Sequence, residues 1–324
     1  MRAYMRPMQR TVPLTRDFVL IGGGHSHALV LRMWGMNPLP GVRVTVINPL
    51  PTAAYSGMLP GFVAGHFTRE QLDIDLVRLA RFAGARVIIG SAEGIDTEKR
   101  EVRIAGQGPI SYDVVSVDVG ITSEMPALPG FPEHGIPAKP LAEFAAKWDA
   151  YRTTAKAPKV AVIGAGIAGA ELAMAMAHAL KDRSGKVTLI DKAAALPGMT
   201  NKARAKVLTA MAEAGVDLIE NAPIASVGAE GVRLEDGRRI EASFVTGAAG
   251  ARPHDWIAAS GLDLVDGYIA VGPTLRSSDP AIFATGDCAH MTHAPRPKAG
   301  VYAVRQAPIL YNNLRAALTE KGQM

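Results

Sequence analysis

Residues 22 to 27 read Gly-Gly-Gly-His-Ser-His, and those types in that order admit two chemistries. Glycines expose backbone amides that can cradle a phosphate, while two histidines two positions apart can share a metal ion. The metal reading lacks further ligands nearby in the sequence. The phosphate reading depends on the flanks. "DFVLI" precedes the loop as a short apolar strand, "ALVLRMW" follows with helix-forming character, and "GVRVTVIN" supplies a second strand ending at Asn48. Strand, glycine loop, helix and strand make a βαβ unit, the setting in which such a loop binds a dinucleotide.

In that unit the first glycine makes the tight turn, the second admits a pyrophosphate, and the third lets helix pack on strand. Gly22 and Gly24 suit the first two roles, with His25 and Ser26 at the helix start. His27 stands where the third glycine is expected, so the helix is expected to stand off the strand or to turn that side chain outward. Asn48 takes the place of the acid that normally holds the ribose, and an amide can still bond a hydroxyl.

A second loop is complete. In "KVAVIGAGIAGAELAMAMAHALKDRSGKVTLID", Gly164, Gly166 and Gly169 open an alanine-rich helix after a strand, and the next strand ends in Asp191. That acid lies 22 residues past the third glycine (191 − 169), near the spacing of about 20 for a ribose-binding acid. Asp191 suits a free 2′-hydroxyl and repels a 2′-phosphate, so NADH is expected over NADPH.

The elements that hold these loops must come from a chain of 324 residues, enough for two domains. Hydrophobic residues make up 48% and charged residues 20%, the balance of an ordinary globular protein. A net charge of +5 and 6% aromatics, with no long basic run, do not form the clustered basic face of a nucleic-acid binder. Cys288 is the single cysteine, which excludes an internal disulfide and a multi-thiolate zinc site and suits a reducing cytoplasm. No apolar run reaches the ~20 residues of a membrane span. The first 16 residues read as a tail, without the apolar stretch of a signal peptide. Their Arg2, Arg6 and Arg10 leave peripheral contact with the inner membrane face as an alternative.

A third element links the two loops. "AIFATGDCAHM" is an apolar strand running into Thr285-Gly286-Asp287, while "YDVVSVDVG" and "ASFVTGAAGARP" are strands running into glycine turns at Gly120 and just past Gly247. With these segments the chain resembles the pyridine nucleotide-disulfide oxidoreductase superfamily from about residue 17 to 318. "GGGHSH", "AYSGMLPGFVAGHF" and "KAGVYAVRQAPILYNNL" resemble a type II NADH dehydrogenase-like group, which includes the flavoprotein domain associated with selenide, water dikinase.

The resemblance implies an α/β fold of two Rossmann-like dinucleotide-binding domains, with parallel sheets flanked by helices and small antiparallel hairpins. The FAD domain would comprise 17–120 and 265–324, with an NAD(P)H domain inserted at 121–264. One hairpin is expected at "GVRLEDGRRIEAS", where Asp236-Gly237 signals the turn. Asp287 would face the ribityl and pyrophosphate part of FAD, and Tyr55, Gly57 and Met58 would wall the isoalloxazine. Amides near Gly300 and Val301, with Lys298, would stabilise charge on the reduced flavin. Glu171 would orient the nicotinamide carboxamide or a partner lysine.

With one cysteine, the disulfide chemistry of the superfamily is excluded, and Cys288 reads as packing. What the resemblance then implies is hydride transfer from NADH to flavin N5, followed by electron delivery to a quinone or other small acceptor. Alternatives are reduction of a ferredoxin-like carrier protein, to which a basic protein suits an acidic partner, and a low-turnover flavin-binding redox partner or sensor. Members of the group continue past the last helix, so a chain ending at Met324 is expected to lack the segment that covers the flavin or touches the membrane.

Overall fold

The computed structural model describes residues 16–319; the N-terminal tail, apart from Arg16, lies outside them. Thirteen elements carry the candidate sites. In chain order they are β1 (Arg16–Ile21), α1 (His25–Met36), β2 (Val42–Asn48), β3 (Arg86–Ile89), β4 (Val114–Val117) and β5 (Gly135–Pro137). They continue with β6 (Lys159–Ile163), α2 (Ile167–Leu180), β7 (Lys186–Ile190), β8 (Val216–Ile219), β9 (Phe244–Gly247), β10 (Ile282–Ala284) and, last, the helix α3 (Gly300–Thr319).

Among the described residues two compact units result, one of residues 16–51, 75–120 and 255–319, the other of 52–74 and 121–254. The first has a five-stranded parallel sheet in the order β10-β4-β1-β2-β3. The second repeats the arrangement as β5-β9-β6-β7-β8, also parallel throughout. In each, the central strand is the one that feeds the glycine loop. Phe18 to Ile21 and Val160 to Ile163 are buried without alternation, as strands covered on both faces must be.

The α1 helix buries Ala28, Val30, Leu31 and Trp34, while α3 turns Ala303, Ala307, Leu310 and Leu314 inward. Trp34 stacks obliquely on Phe18 with centroids 5.3 Å apart. Each large apolar side chain buried this way contributes about 1.5–3 kcal/mol. The expected hairpin is present: Gly231–Leu234 pairs antiparallel with Arg239–Glu241 across a turn in which Gly237 has φ +89°.

The sequence reading counted 52–74 with the first unit and began that unit's second part at 265. In the structure, 52–74 packs with the second unit, and the first resumes at Asp255. The reason is apolar: Leu59, Phe62 and Val63, on the short helix of that segment, join Phe144, Trp148 and Met176 in the core of the second unit. Periodicity shows that these residues are buried but not against which partner.

Candidate functional site

In the first unit the chain leaves β1 through Gly22 at φ +90°, where a Cβ would stand 2.3 Å from the carbonyl oxygen of Asp118. Only glycine fits that turn. Gly23 N donates to Asn48 Oδ1 at 2.9 Å, and Asn48 Nδ2 donates to the Leu50 carbonyl at 2.7 Å. Asn48 is thereby fixed at the tip of β2 with its oxygen braced on the loop. Gly24 is the N-cap of α1 and has no side chain to cap it.

The cap comes from β4. Asp118, 3% exposed, accepts the His27 amide at 3.1 Å and the Ser26 amide as well. It also presses on Gly24, where a Cβ would stand 2.3 Å from its carboxylate. Burial pushes the Asp118 carboxyl up to about 7; the two amides pull it back, and neighbouring Asp287 adds to the rise.

His27 does not turn outward. Its side chain is fully buried, with Nδ1 2.7 Å from the Gly22 carbonyl and Nε2 2.8 Å from Ser116 Oγ. A carbonyl only accepts, so Nδ1 carries the proton and Nε2 accepts from the serine. Burial lowers the His27 pKa to about 4, against a smaller upward pull from the Gly22 bond. Both ring nitrogens are engaged by the protein.

Ser26 Oγ donates to the Ala303 carbonyl on α3 at 2.6 Å and lies 2.9 Å from Thr285 Oγ1. Gln306, on the same helix, accepts from Thr285 Oγ1 at 2.8 Å and from the Gly286 amide at 2.9 Å. This network ties the Thr285-Gly286-Asp287 turn to both helices. Gly286 has φ +67°, and a Cβ there would meet Asp118 Oδ1 at 2.6 Å. Asp287 is half-buried at the turn.

Lys298 donates to the Ala289 carbonyl at 2.6 Å and lies 3.8 Å above the Tyr268 ring. Burial lowers its pKa, while Cys288, Asp287 and Asp266 pull it up. The Cys288 thiol is buried, its Sγ 3.2 Å from the Thr285 carbonyl, and burial pushes it up to about 12. A thiol so held is a core atom, as the sequence suggested. Gly300 is half-buried and Val301 51% exposed at the start of α3. Gly120 sits at φ +68° with nothing within 4 Å of a Cβ position, one residue past Val119, which lines Gly22.

The second unit repeats the loop with different solutions. Gly164, at φ +101°, backs onto Ala249. A Cβ on Gly169 would lie 1.8 Å from the Gly164 carbonyl oxygen. His27 occupies the equivalent position in the first unit and answers the equivalent carbonyl with a ring N–H instead. Asp191 Oδ2 accepts the Ala165 amide at 2.6 Å and Oδ1 the Ala193 amide at 2.9 Å, as Asn48 does for Gly23. Register puts Val117 opposite Ile21 and Gly247 opposite Ile163. Asp118 therefore corresponds to Ala248, and α2 has no side-chain cap. A Cβ on Gly166 would meet nothing within 4 Å, which leaves an open glycine cradle at the start of α2. That opening, with the ribose-distance acid beside it, fits a dinucleotide; the first loop, with the start of α1 and open space at Gly120, offers a second such cradle, with Asp118 pressed on Gly24.

The remaining sequence candidates lie in the second unit. Glu171 is exposed, the fifth residue of α2. Gly247 is buried, its Cα packed under Met125. Tyr55, Gly57 and Met58 lie in the second unit, where Gly57 packs on the Tyr55 ring and Met58 flanks the core. Sequence reasoning did not single out Asp118, Ser116 or Gln306. The signal for Asp118 was a lone acid directly after four apolar or small strand residues.

A family model described as pyridine nucleotide-disulphide oxidoreductase matches residues 16–307. The chain belongs to that family. Its members are oxidoreductases that work with FAD and NAD(P)H. Over 288 residues it is 26% identical to the NADH dehydrogenase-like protein YutJ of Bacillus subtilis (strain 168), covering 86% of this chain and 78% of that one. Over 205 residues it is 35% identical to a nitric oxide reductase FlRd-NAD(+) reductase of Aeromonas hydrophila, covering 60% of this chain and 50% of that one. The chain thus spans about half the length of that reductase. Among solved structures, the water-forming NADH oxidase of Lactobacillus brevis bound to NADH superposes with a TM-score of 0.80 at 24% identity, over 93% of this chain and 69% of that one. That likeness carries the fold of this oxidoreductase family. Among the described residues no helix is long and apolar enough to cross a membrane.

Proposed function

We propose that the protein is an FAD-dependent NADH:acceptor oxidoreductase that works without a redox disulfide. The observation that carries this reading is the repeated glycine-loop unit: a five-stranded parallel sheet, twice, each with the loop on its central strand and braced by a polar side chain at the end of the neighbouring strand. When bound, the two dinucleotides supply hydride transfer from nicotinamide to flavin and electron delivery onward to an acceptor.

In this reading the first unit holds FAD through Gly22, Gly24, His25, Ser26 and Asn48, with Gly286 and Asp287 at the turn held by Gln306. Gly300 and Val301 present the start of α3, a positive helix end, and Lys298 adds charge to it. The second unit holds NADH through Gly164, Gly166 and Asp191, and Glu171 orients the nicotinamide. A quinone or similar small molecule is the proposed acceptor. A carrier protein is the second reading, favoured by the similarity to an FlRd-NAD(+) reductase and by the net charge of +5, which suits an acidic partner.

The test is anaerobic reduction. Purified protein carrying FAD is mixed with NADH or NADPH and flavin bleaching is followed. Rapid bleaching by NADH, slower by NADPH, is the expected result. Bound FAD that stays oxidised with either nucleotide overturns the proposal. Screening quinones against small acidic redox proteins then separates the two acceptor readings.

A further inference from the structure

Asp118 stands at the helix start toward which a dinucleotide-binding unit turns its diphosphate. The α1 helix start offers its amides to an anion, and in this chain a carboxyl of the protein already accepts two of them, those of Ser26 and His27. The residue cannot withdraw sideways, since Gly24 and Gly286 each leave room for it only by lacking a Cβ. The second unit has Ala248 at the equivalent position, a residue with no carboxyl to offer. The two nucleotide units of one chain therefore differ by one acid at the helix N-terminus.

We propose that Asp118 couples FAD binding in the first unit to uptake of one proton, the neutral acid tolerating the diphosphate and the carboxylate opposing it. This rests on the reading of the first unit as the FAD unit. Two effects act in the same direction: the carboxylate and the diphosphate compete for the same amides, and their like charges repel across a buried, low-dielectric distance.

The charged and titratable groups around Asp118 do not offset this. From α1 come His25 and His27, the latter neutral and turned to Gly22 and Ser116. From the turn after β10 come Asp287, of like sign, and Cys288, a thiol that Asp118 itself helps keep protonated. Lys298 acts on Cys288 and is turned to the Ala289 carbonyl and the Tyr268 ring. The free carboxyl titrates near neutrality, and a nearby diphosphate raises it further. Affinity is then level in acid and weakens as pH rises above about 7, by at most roughly tenfold per pH unit for one proton.

The experiment removes FAD from the intact protein and measures FAD affinity by flavin fluorescence at pH 6 to 8.5, for wild type and Asp118→Asn. Calorimetry of wild type at pH 7.5, in two buffers of different ionisation enthalpy, counts the protons taken up. The expected result is weakening affinity with pH and net uptake in wild type, with affinity near level in Asp118→Asn. A flat wild-type profile without proton uptake overturns the proposal, as does an equal slope in both proteins, which would point to His25 or another group. If Asp118→Asn fails to fold, the wild-type proton count decides alone. Failure of apo-protein to bind FAD at any pH would instead overturn the FAD reading of the unit.

Discussion

The Nδ1 of His27 lies 2.7 Å from the carbonyl oxygen of Gly22, so a histidine does by hydrogen bonding what Gly169 does by having no side chain. The equivalent glycine in the second unit clears its carbonyl through bare contact; the first unit fills the gap with a ring and satisfies both of its nitrogens.

That ring and Asp118 give the first unit two opposing pH dependences. Burial holds His27 at about 4 against 6.5 for the free side chain. Between those values the unfolded chain holds the extra proton, so acidification destabilises, by at most about 1.4 kcal/mol per pH unit. Asp118 is raised from 3.8 to about 7, so the folded chain holds the extra proton in between and stability is lost as pH rises. The two slopes largely cancel between about pH 4 and 6.5. Denaturant titrations of apo-protein should show stability falling on acidification through that range in Asp118→Asn and rising in His27→Gln. Parallel profiles for the two variants would sink this account.

Gln306 holds the turn that carries Asp287. Gln306→Leu keeps the volume but leaves Thr285 Oγ1 and the Gly286 amide without their acceptor. A stability loss of about 2 kcal/mol is expected, together with reduced FAD retained after gel filtration, read from the flavin-to-protein absorbance ratio. Full retention of FAD would show that the turn is set by the backbone alone.

Two glycines of the second loop should separate folding from binding. A Cβ at Gly169 collides with backbone at 1.8 Å, so Gly169→Ala should lower stability by about 3 kcal/mol or more. Gly166 has φ −71° and open space at its Cβ position, so Gly166→Ala should melt within a degree or two of wild type yet bind NADH at least roughly tenfold more weakly. Unchanged NADH affinity in Gly166→Ala would remove the phosphate cradle from the start of α2.

Asp191 should set nucleotide choice. Its carboxylate braces Ala165 and Ala193, and in the proposed reading its negative charge opposes a 2′-phosphate. Asp191→Ser is expected to lower kcat/KM for NADH about tenfold or more and to raise the NADPH-to-NADH ratio. A ratio that does not move would assign the preference to other groups.

Much of this was legible before any coordinates. The second loop, its acid at Asp191 and the Asp236-Gly237 hairpin are local patterns, each written within about 30 consecutive residues, where backbone geometry follows from residue type. The lone Cys288 ruled out a redox disulfide by number alone. Where reading failed, the partner was far along the chain. The inward turn of His27 depends on Ser116, 89 positions away, and the packing of 52–74 depends on Trp148.

Residue types and spacing establish that two glycine loops exist and which of them is complete, because glycine, β-branched and apolar residues act through their immediate neighbours. Folding of the whole chain is what puts Asp118 at the first loop and an alanine at the second. The parallel register of β4 on β1 and of β9 on β6 fixes that difference, and register is set by the packing of whole sheets rather than by any local motif.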